Sequence, residues 1–518
     1  MAYSEENPEI PGSETDPYEF VSRLYRGDLE AATLVDDPGG VSPPSTSSPG
    51  ADEPTITISD ENQPILNNLN RRESIWAKLS NMFTFDGNND AKACALIKIP
   101  EACTWAASSV YLYAAIVESA YEEAGCISEI PEGETELPAC NNRIYGIKPS
   151  SILSLFITIL GIVCAVIMPI IGALLDSSNK RRLVGGLTAL AVTAFTFAQS
   201  FISKSNWFPM LILQLFSFAM MTINTCVALA YLSELTKDEE KIERYNTIIM
   251  IFSSVAVVVF LVVMTLVSTF FTSGNSIGSA KVALLITFVL QCIFYGVSWT
   301  RLFGPRDANQ KNPHPDSTSD KKESCLLFRH GLQSLKRTMN LAFRQRSAVR
   351  YFLAFKATSQ PAYIAFTAAT LSYINEQLQV SSRDLGVTTL IVLASAIPGN
   401  KLSLTMMRRM NPLVTMQLCI FLWALLGGLF VLFVNKPGQE MRLFLIAIFW
   451  GILIGLKEPV DKTIFCNLIP EGIEAEMSGL YISSSQILMW VSEEKNIPVH
   501  GRCTLHLQLM ISFPTIYA

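Results

Sequence analysis

Runs of about twenty apolar residues alternate with short polar breaks from Ile99 onward, and they set the plan of the chain. A helix needs about twenty such residues to cross a bilayer. Hydropathy places eleven spans, at 100–121, 150–175, 183–203, 207–235, 246–272, 280–303, 350–374, 384–400, 412–435, 441–467 and 474–492. The pattern predicts an all-α polytopic membrane protein. A first bundle of six spans (96–303) is followed by a polar linker loop (304–348) and a second helix bundle (349–492). One short break, between the second and third spans, is strongly charged: Gly172 to Arg182 reads GALLDSSNKRR.

Composition agrees with the pattern. Charged residues make up 16% of the chain, against about a quarter in a soluble domain, and the deficit lies in the apolar runs. Residues 1–95 are different: up to Lys92 they hold 17 acidic residues against 6 basic ones, with many Pro, Ser and Gly. Low hydrophobicity with net negative charge predicts a disordered acidic tail. No signal peptide precedes the first span, which then serves as its own insertion signal. The loops at 180–182, 237–244, 301–350 and 401–409 carry 20 Lys and Arg, and the loops on the opposite side carry 7. That bias predicts a cytosolic N-terminus and a cytosolic middle loop.

The charged break has a specific order of parts. Asp176 stands one turn from Gly172, and the basic triplet Lys180, Arg181 and Arg182 follows. A topological anchor is one reading. The other is a resemblance: Gly172, Asp176, Lys180 and Arg181 match the loop between the second and third helices of major facilitator superfamily transporters. Ser177 and Asn179 replace a basic residue and a glycine of that pattern. The resemblance implies the two-bundle fold, with twelve spans expected, and a gate latch between the halves at Asp176 and Arg181. A repeat in the chain points the same way: a shift of 233 positions lays Leu235 on Leu468, Glu243 on Glu476 and Asn224 on Lys457.

No catalytic constellation, nucleotide loop or metal-ligand spacing emerges, so the sequence predicts no enzyme, no cofactor, no metal and no nucleic-acid partner. Function then rests on polar groups inside spans, which are costly there. The tenth span reads Gly455-Leu-Lys457-Glu458-Pro459-Val-Asp461-Lys462. Lys457 and Asp461 are four apart, as are Glu458 and Lys462, so each pair can meet on one helix face. The cluster is either a substrate or proton-coupling site, or a self-neutralising helix end. Further candidates are Lys356 with Gln360 in the seventh span, Asn224 with Thr225 in the fourth, and Glu118 at the end of the first. For these the alternatives are a snorkelling lysine, helix–helix hydrogen bonds and an interfacial belt with Tyr111, Tyr113 and Tyr121.

Three stretches carry a narrower resemblance: Tyr145-Gly-Ile-Lys-Pro-Ser, Ala230-Tyr-Leu-Ser-Glu-Leu235, and the run from Phe465 through Leu468-Ile-Pro-Glu-Gly-Ile-Glu-Ala-Glu-Met-Ser-Gly-Leu-Tyr481. These resemble the autophagy-related protein 22-like vacuolar effluxers. Ser233, Met477 and Ser478 depart from that pattern. The resemblance implies export of neutral amino acids from the vacuole or lysosome to the cytosol during autophagic recycling. A carrier of another small solute, such as an organic anion or a drug, is the alternative. So is a non-transporting receptor or defective isoform.

Three features remain. The loop after the first span holds Cys126 and Cys140, a candidate disulfide on the lumenal side, with two free thiols as the alternative. In the tail, Glu61, Ile65 and Leu66 resemble an acidic dileucine signal for sorting adaptors, and Tyr18 to Val21 a tyrosine-based one. After Val491 the sequence becomes SEEKNIPVHGRCTLHLQLMISFPTIYA, whose apolar part is too short for a span. The expectation is an incomplete second bundle, an atypical 493–518 tail and poor transport.

Overall fold

The computed structural model describes residues 85, 87–126, 142–149, 152–177, 180–236, 238–271, 275–304, 333, 335–376, 382–434, 436, 438–470 and 472–488. Glu61, Ile65, Leu66, Cys140 and the 493–518 tail lie outside them. Among the described residues the chain is helical, with one isolated bridge between Ile144 and Ile147.

Among the described residues twelve longer α-helices follow one another. The first rod joins α1 (Asn89–Ala106), a π-helical segment (Ala107–Leu112) and α2 (Tyr113–Glu123). Then come α3 (Ile152–Ser177), α4 (Arg181–Gln199), α5 (Trp207–Glu234), α6 (Glu239–Phe271) and α7 (Ser276–Val297). The second group is α8 (Ser347–Glu376), α9 (Ser382–Arg409), α10 (Pro412–Phe433), α11 (Glu440–Leu468) and α12 (Glu474–Gln486). Eight of these helices are long and apolar enough to cross a membrane. The first rod, α8 and α12 fall outside that set: charges such as Lys98, Glu101 and Lys356 interrupt two of them, and α12 is 13 residues long.

Local chemistry sets several boundaries. The Asn88 side chain accepts from the N–H groups of Asp90 (3.0 Å) and Ala91 (3.1 Å), so α1 begins well before the predicted 100. Asn275 caps α7 in the same way, and Asn411 with Pro412 starts α10. Such side chains satisfy N–H groups that a helix start leaves without partners.

The helices are ordered inside out. On α4, Leu183, Leu187 and Leu190 are exposed, whereas Thr188, Thr196 and Gln199 are buried. The buried polar groups bond one another: Gln199 donates to Gln214 (2.5 Å), Gln214 to Ser108 (2.7 Å), and Gln291 to Thr104 (2.7 Å). An apolar exterior around a hydrogen-bonded polar interior suits lipid, which offers no partner for polar groups.

The two groups of helices meet along two seams, α3 with α12 and α6 with α9. Small residues permit the first. A Cβ on Gly172 would strike the Ala475 carbonyl, and one on Gly479 the Met168 carbonyl. Within the second group, Gly399, Gly451 and Gly455 bring the backbones of α9 and α11 together in the same way.

The stretch expected as a polar loop over 304–348 is not all loop. Residues 335–340 are helical, and Thr338 and Ala342 are buried. At the other end of the bundle, exposed Lys204 donates to Glu122 Oε1 at 2.8 Å. That hydrogen bond holds its ammonium above the usual lysine range. Cys126 is disulfide-bonded.

Candidate functional site

The charged break closes the first seam at the basic end of the bundle. Arg181, the first residue of α4, is 1% exposed and is the hub. Its guanidinium bonds Asp176, reaches Glu234 at the end of α5 (2.5 Å) and lies 3.7 Å from Glu474. Asp176 also crosses the seam. Its Oδ1 accepts from the Ala475 N–H at 3.2 Å and its Oδ2 from the Glu476 N–H at 2.7 Å. A carboxylate at a helix N-terminus satisfies free N–H groups and meets the positive end of the helix dipole. Among the described residues α12 has no capping side chain of its own at Ile473; Asp176, from the other half, does that work.

The rest of the basic triplet divides. Arg182 donates to the carbonyls of Trp299 (3.0 Å) and Thr300 (2.5 Å), tying α4 to the π-helical turn after α7. Lys180 is exposed. Thr338, near the end of the linker, donates to Glu476 Oε2, so the linker end docks beside the same seam.

The second constellation lies within α8, α11 and α12. Lys356 pairs with Asp461 and also donates to Gln360 at 3.2 Å. The Tyr481 hydroxyl donates to Asp461 Oδ2 at 3.0 Å, and the Lys356 ammonium stands 4.8 Å from the Tyr481 ring centre. Lys457 lies 3.9 Å from Asp461 and 5.6 Å from the centre of the Tyr363 ring. Lys356, Lys457 and Asp461 are all buried. The snorkelling alternative for Lys356 is therefore wrong: its charge turns inward because Asp461 offers an ion pair there. Tyr481 and Tyr363 escaped the sequence reading of this site. Nothing local marks a tyrosine as a carboxylate's partner 20 positions away.

The i,i+4 expectation holds for one pair only. Lys457 and Asp461 meet, but among the described residues no ion pair joins Glu458 to Lys462. Both are half-buried. Lys462 instead donates to the Met250 thioether at 2.8 Å. In the first half Lys98 and Glu101 pair at 2.6 Å, and Thr225 donates to Glu101 at 2.8 Å. Half-exposed charges in mid-helix face a polar interior, because facing lipid is costly.

Two candidates are corrected. Asn224 is buried and donates to Gly185 O (2.8 Å) and Thr188 Oγ1 (3.2 Å), so it ties α5 to α4 and faces no open space. Glu118 accepts from Ser276 and ties α2 to the start of α7. Their polar groups are used in helix packing, as intramembrane amides and hydroxyls often are.

Two bundles joined along paired seams, with charges concentrated in the interior, define a polytopic helical membrane carrier. The Major Facilitator Superfamily model matches residues 107–492, and the chain belongs to that family. It is a transporter of a small solute. No curated protein matches the chain. Solved structures share the fold. The human organic anion transporter MFSD10 (TETRAN) has TM-score 0.58 at 11% identity, over 82% of this chain and 98% of that one. The proton:xylose symporter XylE has TM-score 0.55 at 12% identity, over 83% and 93%. A bacterial homologue of the iron transporter ferroportin has TM-score 0.52 at 11% identity, over 82% and 99%.

Proposed function

We propose that the chain carries neutral amino acids across an endomembrane, from a vacuolar or lysosomal lumen to the cytosol. One observation carries this reading. Glu458 and Lys462 present opposite charges one turn apart on α11, half-buried and unpaired with each other. An α-amino acid offers an ammonium and a carboxylate that complement such a pair, and a neutral sugar does not. The resemblance of the 465–481 stretch to the autophagy-related effluxers supports the same solute, and the basic bias of the loops supports a cytosolic N-terminus. A lumenal Cys126–Cys140 bridge belongs to this reading, as does adaptor binding at Glu61, Ile65 and Leu66. In the same reading the Asp176–Arg181 cluster is the gate on the cytosolic side.

A second reading, transport of an organic anion, is favoured by the three lysines Lys356, Lys457 and Lys462 set against Glu458 and Asp461 on the inward parts of α8 and α11. Counterflow of labelled leucine into vesicles containing the purified full-length chain tests the first reading. Accumulation that exceeds empty vesicles and is lost in Glu458→Gln supports it. Accumulation of labelled organic anions and not of leucine overturns it.

A further inference from the structure

We propose that the helical segment 335–345, at the end of the linker, binds the surface of an acidic phospholipid leaflet. Its exposed cations meet the headgroup phosphates, and Met339 and Phe343 enter the acyl boundary. The surface lies outside the solute path, so the inference holds whichever solute is carried.

The segment has two sides. Residues 335–340 are α-helical, Leu341–Gln345 form a π-helical turn, and Arg346 alone separates that turn from α8. On one side Thr338 and Ala342 are buried, and Leu335 packs against the core that also holds Val349. On the other side Lys336, Arg337, Arg344 and Arg346 are exposed, and Arg350 continues them on α8. The sequence supplies no counter-charge here: from Ser324 to Asn375 there is no Asp or Glu. Among the described residues none of the five cations pairs with a carboxylate. Arg350 instead donates to the Phe343 carbonyl (3.4 Å) and the Tyr351 hydroxyl (3.2 Å).

Cations alone would make a solvated face. The apolar side chains among them decide the partner. Met339 and Phe343 stand one turn apart and are each 44% exposed, and Tyr351 is 40% exposed. Leaving such side chains in water forfeits the gain from burying them. A purely acidic protein segment would neutralise the cations and leave the apolar side chains wet. A phospholipid leaflet answers both needs, with phosphates for the guanidinium and ammonium groups and acyl chains for Met339 and Phe343. The position suits this partner too. The segment runs straight into α8, a 30-residue helix of the second group, and basic clusters next to a membrane-entering helix attract acidic lipids.

The test uses the full-length chain in detergent with three soluble probes. They are short-chain phosphatidylserine, phosphatidylcholine of the same chain length, and glycerophosphoserine, which has the headgroup without acyl chains. Thermal stabilisation reports binding. Phosphatidylserine should stabilise the wild type at lower concentration than phosphatidylcholine, and high potassium chloride should weaken the effect. Glycerophosphoserine should not stabilise it. In the triple variant Lys336→Gln, Arg337→Gln, Arg344→Gln the half-saturating concentration of phosphatidylserine should rise at least about tenfold, since each cation near an acidic leaflet strengthens binding about fivefold. Met339→Ser with Phe343→Ser should weaken the binding of both lipids. Lipid-free melting temperatures matched to the wild type show that the variants are folded. Unchanged phosphatidylserine binding in the folded triple variant overturns the proposal. So does equal stabilisation of the wild type by the two lipids, or salt-independent binding of phosphatidylserine, neither of which needs a variant. Glycerophosphoserine acting as well as phosphatidylserine, or unchanged binding in the Met339→Ser, Phe343→Ser variant, would mean a headgroup site without a membrane surface and overturns it too. No stabilisation by phosphatidylserine, the result if the acidic residues of 1–92 already cover the cations, does the same.

Discussion

Asp176 accepts the backbone N–H of Glu476 at 2.7 Å, across 300 positions of sequence, and so caps a helix that belongs to the other half of the protein. The same carboxylate pairs with buried Arg181. One residue therefore holds both the turn between α3 and α4 and the seam between the halves.

Asp176→Ala should lower the stability of the purified protein by about 3–5 kcal/mol, the usual cost of leaving one member of a buried ion pair uncompensated. Asp176→Asn should cost less, because the amide oxygen still accepts one of the two N–H groups. Urea or thermal unfolding of both variants checks the order. Equal losses would mean that the cap contributes nothing.

Gly172→Val should separate α3 from α12 at the basic end. Even a Cβ at this position meets the Ala475 carbonyl, a backbone atom that cannot swing away. Closed and open arrangements of the seam differ by a few kcal/mol in such carriers, so the substitution should shift the population toward the open one. Alkylation of Cys226 reads this, since its thiol lies against the Ala475 carbonyl within the closed seam. Faster labelling than in the wild type is expected.

Lys356→Met and Asp461→Leu should cost less together than the sum of the two changes made singly. Without Lys356 the buried carboxylate keeps only Lys457 at 3.9 Å and the Tyr481 hydroxyl, and without Asp461 both lysines lose their ion pair. Asp461→Leu alone should cost about 3–5 kcal/mol. Additive losses in a double-mutant cycle would show that the two side chains act independently.

Thr338→Val should loosen the end of the linker. Glu476 Oε1 has no hydrogen-bond partner among the described residues, and Thr338 supplies the bond to Oε2. Its loss leaves a buried carboxylate without side-chain partners and should cost about 1.5–3 kcal/mol. Limited proteolysis between 305 and 332 should quicken. An unchanged cleavage rate would show that the Thr338 contact does not anchor the linker.

The sequence alone determined the class of this protein. Apolar run length is a local quantity, and it was enough to predict an all-helical membrane protein; eight of the eleven expected spans are long and apolar enough to cross a membrane. The charged break was also legible, because glycine, aspartate and arginine there must lie within two turns of one another to act together. What they act upon was not legible. Only tertiary structure brought Asp176 to the start of α12 and Lys356 to Asp461. The 3.6-residue period shows which residues of one helix share a face, but it carries no information on which helix that face will meet. Asn224 makes the point most plainly. Its sequence position admits both a ligand and a neighbouring helix, and the amide reaches the Gly185 carbonyl because α4 and α5 pack closely.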